Sequence, residues 1–260
     1  MSTVSNRIRR EAERLEKWDN SKDISELLSV ISEGDILELG CGTGKIIEEL
    51  SKTLRKSKFT GIDIEEYFIQ IAKQKNLPNA VFQQGDAVDH LFSDSSFDTV
   101  IFRDSLKFIP RQRGQIGLTK CLETVFDYLR TDGRFIIRDG MKPPSTSISM
   151  HLGTDENIQV FKIYAQRNPV IPEKNGYVTM NLPDLISFLS KYRKIKENTY
   201  TSPRNPDPPT YEEYDTLLTN IGFKKEIVKT YPYPTNLIPE GITVETDLPD
   251  TYIMFVYQKP

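Results

Sequence analysis

Three glycines at alternate positions, Gly40, Gly42 and Gly44, follow an acid, Glu38, two residues before the first of them. Residues 36–39 read Ile-Leu-Glu-Leu and residues 46–50 read Ile-Ile-Glu-Glu-Leu, so a short apolar strand breaks into a glycine turn and then opens a helix. Such a turn suits a ligand lying against bare main chain, because glycine has no side chain and tolerates backbone angles that other residues resist. The helix start behind it offers unpaired amides and partial positive charge to an anionic group. Cys41 stands inside the turn, where a small residue is wanted. The G-x-G-x-G spacing differs from the G-x-G-x-x-G of dinucleotide sites.

Further polar groups recur at the ends of apolar runs. Residues 58–63 form a second strand ending in Asp63, followed by Ile64. In a doubly wound sheet that strand end lies beside the glycine loop, where a carboxylate accepts from both hydroxyls of a ribose. Residues 79–87 form a third strand closing on Gly85, Asp86 and Ala87, and residues 96–102 a fourth, ending at Phe102. After it stand Arg103, Asp104 and Lys107; after the fifth, residues 134–138, stands Asp139. Arg103 and Lys107 suit an anionic acceptor, although Arg103 could equally pair with Asp104 or Asp139. The pair Arg138-Asp139 reads as an ion pair or a turn acid. Beyond them His151, Tyr164 and Tyr200 are weaker candidates for handling an acceptor proton.

The elements that must position these groups alternate as strand and helix. Helices are expected over 67–75 and over 116–129, with Asp132-Gly133 as the stop. Residues 6–18 and 24–31 predict two helices before the first strand; the plainer reading has them covering a sheet edge, the sharper one has them closing over a ligand with Trp18 or an arginine near it. A helix over 211–220 and strands over 226–231 and 252–257 end the chain.

The glycine run, Asp63, Gly85-Asp86 and Phe97-Asp98, in this order, resemble the Rossmann-like (class I) S-adenosylmethionine (SAM)-dependent methyltransferase family over residues 33–140. The resemblance implies an α/β fold with a doubly wound, mostly parallel seven-stranded sheet, and SAM as the methyl donor. It implies cofactor contacts from Glu38, Gly40, Cys41, Gly42, Gly44, Asp63, Ile64, Gly85, Asp86, Ala87, Phe102 and Arg103, with Asp63 on the ribose and Asp86-Ala87 on the adenine. Many members carry a serine and then a leucine-histidine pair after the fourth strand. This chain reads Arg103-Asp-Ser-Leu-Lys107, so no histidine role carries over. No Asn-Pro-Pro-Tyr or Asp-Pro-Pro-Tyr follows that strand, which disfavours methylation of planar amide or base nitrogens by that route.

The family's minimal fold needs only a short connection where this chain has residues 141–210. An unstructured loop of that length is uncommon in a compact domain. Helices are expected at 157–165 and 182–195, and prolines mark the borders at Pro143-Pro144 and between Pro203 and Pro209. The division is therefore 1–140 for the N-terminal helices and SAM-binding core, 141–210 for an inserted helical substrate cap between the fifth strand and the last helix, and 211–260 for the helix and antiparallel strands that complete the sheet. Most of the insert's aromatics, Phe161, Tyr164, Tyr177, Phe188, Tyr192 and Tyr200, are expected to pack its own core.

Among 260 residues, 37% are hydrophobic and 27% charged, with a formal net charge of -3, which suits a soluble globular protein with no global attraction for nucleic acid or an anionic membrane. Two isolated cysteines and two histidines give no disulfide or metal framework. No apolar run approaches a membrane span and no signal-peptide core opens the chain, so the cytoplasm is expected. The reading is a SAM-dependent methyltransferase acting on a small molecule. Rival readings are a tRNA or protein methyltransferase, with Lys52, Arg55, Lys56 and Lys58 as the contact patch, and a non-catalytic SAM-binding protein.

Overall fold

The computed structural model describes residues 4–142, 145–168, 174–198, 209–233, 237–246, 248 and 250–260. They fall into two compact units. Unit 1 comprises Met1–Asp139, Glu212–Lys229 and Ile253–Pro260; unit 2 comprises Gly140–Tyr211 and Thr230–Tyr252.

Unit 1 is built on strands β1 (Asp35–Leu39), β2 (Lys58–Asp63), β3 (Ala80–Gln84), β4 (Phe97–Arg103) and β5 (Leu129–Gly140), joined later in the chain by β8 (Lys224–Pro232) and β10 (Asp250–Gln258). They form one seven-stranded sheet in the order β3-β2-β1-β4-β5-β10-β8. The first five run parallel, with Leu37 of β1 paired to Thr60 of β2 on one side and to Val100 of β4 on the other. The central strands are continuous apolar runs because both faces are buried, and Leu37, Val100, Ile136 and Phe255 are all fully enclosed. Parallel pairing brings the carboxyl ends of β1 to β5 to one edge of the sheet, and the strand order reverses between β1 and β4, where open α/β sheets bind ligands.

Helices α3 (Lys45–Thr53), α4 (Glu66–Gln74) and α5 (Phe108–Tyr128) connect these strands, and α8 (Tyr211–Ile221) precedes β8. α5 starts eight residues before the expected 116, with Pro110 in its first turn, where a missing amide hydrogen does no harm. Gly114 leaves helical angles (φ 66°, ψ -173°) and breaks it into two pieces. The helix ends at Tyr128, not at Asp132-Gly133; Asp132 lies within β5, and its N–H is donated to Lys259 O at 2.8 Å. Helices α1 (Asn6–Lys17) and α2 (Ser21–Leu28) precede the sheet, α1 capped by the Ser5 hydroxyl, which accepts from Ile8 N.

Unit 2 is not a purely helical insert. Beside α6 (Asp155–Ala165) and α7 (Leu182–Lys196) it holds a three-stranded antiparallel sheet of β6 (Ser147–His151), β7 (Tyr177–Asn181) and β9 (Thr243–Val244), in the order β7-β6-β9. The alternation of Ser-Ile-Ser-Met-His and Tyr-Val-Thr-Met-Asn sends Ile148, Met150, Val178 and Met180 inward, while the hydroxyls of Ser149 and Thr179 meet at 2.8 Å on the other face. Phe161, Tyr164, Phe188 and Tyr192 pack edge-to-face in the unit's core. β9, Tyr233 and Ile242 come from the second stretch, 230–252, which a division at 211 assigns to the closing strands instead.

Candidate functional site

The glycine turn is held by backbone geometry that only glycine adopts cheaply. Gly40 and Gly42 have φ of 75° and 53°. Gly40 N and Cys41 N both donate to Ile62 O on β2, and Gly44 N donates to Cys41 O. Gly44 caps α3 without any side-chain cap, so the first amides of that helix face the loop unsatisfied by a side chain. The Cys41 thiol is enclosed, and burial pushes its pKa well up, which makes it a packing residue.

Asp63 ends β2 and ties the loop down. One oxygen accepts Gly42 N–H at 2.8 Å and the other accepts Glu65 N–H at 2.9 Å. Burial raises its pKa, against the pull of these amides. The Ile64 N–H is also drawn to this carboxylate, so three backbone amides leave it one of about four acceptor positions. Ile64, next in the chain, is 53% exposed. Gly85 N donates to Asp63 O at 3.0 Å, which sets the turn after β3 beside the end of β2. The carboxylate of Asp86 caps Val88 N and pairs with Arg113 at 2.5 Å. Ala87 follows in the same turn, half-buried.

Glu38 is the most unusual group of this edge. It is enclosed on β1, and its Oε2 has no hydrogen-bond partner among the described residues. Desolvation raises its pKa to about 8, with Asp63 adding to the rise and Arg103 opposing it. A buried carboxyl with an unused oxygen is the group a ligand cation would satisfy.

At the ends of β4 and β5 the charges are already paired. Arg103 binds Asp23 of α2, with Nε at 3.1 Å, and Asp104 at 3.3 Å. Burial works against its charge, but Asp104 and Asp23 outweigh it and hold the guanidinium pKa above its ordinary value. Arg138 binds the other oxygen of Asp23 at 2.6 Å and Glu26 at 3.3 Å. Lys107 bridges Asp104 at 3.0 Å and the fully enclosed Asp139 at 2.8 Å. Burial raises the pKa of Asp139 against the pull of Lys107, whereas Lys107 and Arg103 outweigh burial at Asp104 and lower its pKa. Arg103 therefore pairs with Asp104 and not Asp139, and the expectation that Arg103 and Lys107 stand ready for an anionic acceptor gives way to a structural ion network. Sequence reasoning missed Asp23, although it shares a buried helix face with Leu27, four residues on, and an acid on an apolar face asks for a partner.

Two other expected site residues are core residues. Phe102 is 1% exposed, edge-on to Phe135 at 6.1 Å, so only its backbone is available to a ligand. Tyr164 is enclosed in unit 2 and its hydroxyl donates to Asp184 O at 3.2 Å, which removes it as a proton carrier. His151 lies on β6, half-buried, its ring 4.5 Å from that of Tyr177. Tyr200 lies outside the described residues, as do Pro143-Pro144 and 203–208.

α1 sits over the glycine loop and not at a sheet edge. A Cβ placed on Gly42 would come within 3.1 Å of Leu15. Glu16 pairs with Lys75 at 2.8 Å, and the Trp18 ring lies 6.0 Å from the Arg103 guanidinium. Glu16 Oε1 of α1, Thr43 Oγ1 of the loop and Asn20 Nδ2, just before α2, also have no hydrogen-bond partner among the described residues.

Residues 32–166 match a family described as a methyltransferase domain. The chain is 35% identical over 99 residues to a malonyl-[acyl-carrier protein] O-methyltransferase of Bacillus cereus, covering 38% of this chain and 34% of that one. It is 34% identical over 105 residues to a fatty-acid O-methyltransferase of Mycolicibacterium smegmatis, covering 40% and 36%. The chain thus spans about a third of the length of these relatives. In fold it is similar to a TehB-like SAM-dependent methyltransferase of Corynebacterium glutamicum, at a TM-score of 0.57 and 16% identity, covering 98% of each chain. With the parallel sheet, the glycine turn and the acids at the strand ends in place, the matched residues span more than half of the sequence, and the chain belongs to the methyltransferase domain family.

Proposed function

We propose that this protein transfers the methyl group of SAM to a small-molecule acceptor. The observation that carries this reading is Glu38, an enclosed carboxyl with an unpartnered oxygen beside a positive-φ glycine loop. The donor set fits the ligand. Glu38 is suited to the ammonium of its methionine portion, and the uncapped start of α3 to its carboxylate. The remaining acceptor capacity of Asp63 suits a ribose hydroxyl, and the exposed Ile64 gives an apolar face for the adenine. Asp86 would share its carboxylate between Arg113 and the adenine amine.

When bound, SAM supplies a sulfonium methyl group that is already electrophilic. The protein's part is to fix the donor, align the acceptor in line with it and keep water out. Arg103, Lys107 and Arg138 act as positioning residues: Arg103 and Arg138 hold the ends of β4 and β5 against Asp23 of α2, and Lys107 ties Asp104 to Asp139. Unit 2, absent from a minimal version of the fold, sets the acceptor, with the half-buried His151 as its candidate side chain. The relatives' names, which give a malonyl carrier-protein and a fatty acid as acceptors, support a small molecule over nucleic acid. The buried free thiols of Cys41 and Cys121 support a reducing compartment such as the cytoplasm. No helix among the described residues is long and apolar enough to cross a membrane.

Calorimetry with SAM, S-adenosylhomocysteine and NAD tests the cofactor: the first two should bind and NAD should not. NAD binding without SAM binding refutes the reading. SAM consumption in the presence of a metabolite extract, set against an RNA fraction, tests the acceptor; turnover confined to the RNA fraction, with salt-sensitive RNA binding, would replace the small molecule with a polymer.

A further inference from the structure

Three ligand-type side chains meet on the surface of unit 1, away from the strand ends described above. His90 and Asp94 belong to the segment that follows Gly85-Asp86-Ala87, and Asp127 lies in the last turn of α5. One ligand atom of each lies within 4.8 Å of the other two, and His90 Nε2 is 3.1 Å from Asp94 Oδ1. All three side chains are open to solvent. Among the described residues this is the only such group of three or more.

The meeting is set by the fold. Ser95 N–H donates to Asp127 O at 2.8 Å and Ser96 N–H to Tyr128 O at 2.8 Å, which fastens the segment to the end of α5. The Tyr128 hydroxyl accepts Leu91 N–H at 2.5 Å and donates to Asp89 O at 3.0 Å, and its ring lies edge-on to His90 at 5.2 Å. Imidazole and carboxylate are thus held close with two acids on one cation-accepting side. Exposed as they are, the His90–Asp94 pair adds little by itself.

We propose that His90, Asp94 and Asp127 form a binding site for a divalent first-row transition metal ion, with Zn²⁺ as the probe. One imidazole nitrogen with two carboxylate oxygens suits such an ion, whereas an imidazole in the set selects against Mg²⁺ and Ca²⁺, which take oxygen ligands. Water completes the coordination at this open position. The ion relieves the repulsion between Asp94 and Asp127 and staples the segment after Asp86 to α5. The remaining soft ligands do not compete on unit 1, since the thiols of Cys41 and Cys121 are buried and the other histidine, His151, belongs to unit 2.

The test is calorimetric titration of the tag-free full chain with Zn²⁺ and, separately, Mg²⁺, beside thermal melting. The expected result is one Zn²⁺ per chain, a raised melting temperature, and no Mg²⁺ binding. His90→Ala and Asp127→Asn should each weaken Zn²⁺ binding by at least about tenfold, as even loss of a supporting group does at metal sites. His90→Ala removes a ring from Tyr128 and could disturb folding; Asp127→Asn keeps shape and packing and decides the matter in that case. No stoichiometric binding, or binding that survives both substitutions, means adventitious surface carboxylates only and overturns the proposal.

Discussion

The carboxylate of Asp63 accepts the amide hydrogen of Gly42 at 2.8 Å, so the acid at the end of β2 is part of the glycine loop's own scaffold. Replacing Asp63 with Ala should therefore do two things. It should weaken SAM binding by about 1.5–3 kcal/mol, the range for hydrogen bonds to a charged group. It should also lower stability by roughly 1–3 kcal/mol, because the amides of Gly42 and Glu65 lose their acceptor. Calorimetry and denaturant melts read the two effects; unchanged SAM affinity would take Asp63 out of the ligand site and leave only its role in the loop.

Glu38 predicts a pH signature. Its pKa in the free protein is raised from 4.5 to about 8, so it is protonated at neutral pH. A ligand ammonium favours the ionised form, so SAM binding at pH 7 should release a proton, and affinity should rise with pH until about pH 8. The sign for stability is opposite. The folded state holds this proton more tightly than the unfolded one, so its contribution is full below pH 4.5 and is lost as pH rises to about 8. Glu38→Gln should flatten both trends. Titration in buffers of different ionisation enthalpy counts the released proton, and a count of zero refutes the assignment.

Asp23 should behave as a keystone. Its two oxygens receive Arg103 and Arg138, all three groups being largely enclosed. Removing one partner of a buried pair typically costs 3–5 kcal/mol, about the value expected for Asp23→Ala in a denaturant melt. A loss under about 1 kcal/mol would mean that water replaces the carboxylate freely.

Trp18, the only tryptophan in the chain, has the guanidinium groups of Arg14 at 5.8 Å and Arg103 at 6.0 Å from its ring. With Leu15 against Gly42, α1 forms one wall over the loop. SAM should change Trp18 emission on binding, and Leu15→Asp should weaken SAM binding by roughly 1–2 kcal/mol, part of the value of burying a leucine. A flat fluorescence titration together with full affinity in the variant would return α1 to a purely covering role.

In unit 2, Asn157 Nδ2 donates to Leu152 O at 2.6 Å and to Glu240 O at 3.1 Å, while its Oδ1 accepts from the Tyr192 hydroxyl. Asn157→Leu should destabilise the protein by about 1–3 kcal/mol for each partner left unsatisfied. SAM affinity measured below the melting transition should hold, and a parallel loss of SAM binding would overturn a purely structural role for Asn157.

What was legible in the sequence was what repeats locally. The apolar runs of β1 to β5, their closing acids and the helices between them follow from periodicity and glycine chemistry, because those signals lie within a few residues of each other. The partners of the charges were not legible. Arg103 finds Asp23 eighty residues earlier, and Lys107 finds Asp139 thirty-two residues later, across strands whose order no local pattern states. β6 and β7 did carry a signal, a clean period of two, but short alternating runs inside a proline-bounded insert read easily as loop. Leu15 carried none, since a leucine on a helix stripe looks the same whether it covers a core or a ligand loop.

Unit 2 enters the chain twice, as 140–211 and as 230–252, and its sheet is incomplete without the second visit, because β9 pairs with β6 through Met150 and His151. The two stretches therefore stand or fall together: neither can be trimmed or transplanted alone without stranding Gly153 and Asn157, which pack directly against Gly241 and Glu240. A graft of unit 2 onto another scaffold has to carry both stretches and rejoin them across the span that α8 and most of β8 occupy here.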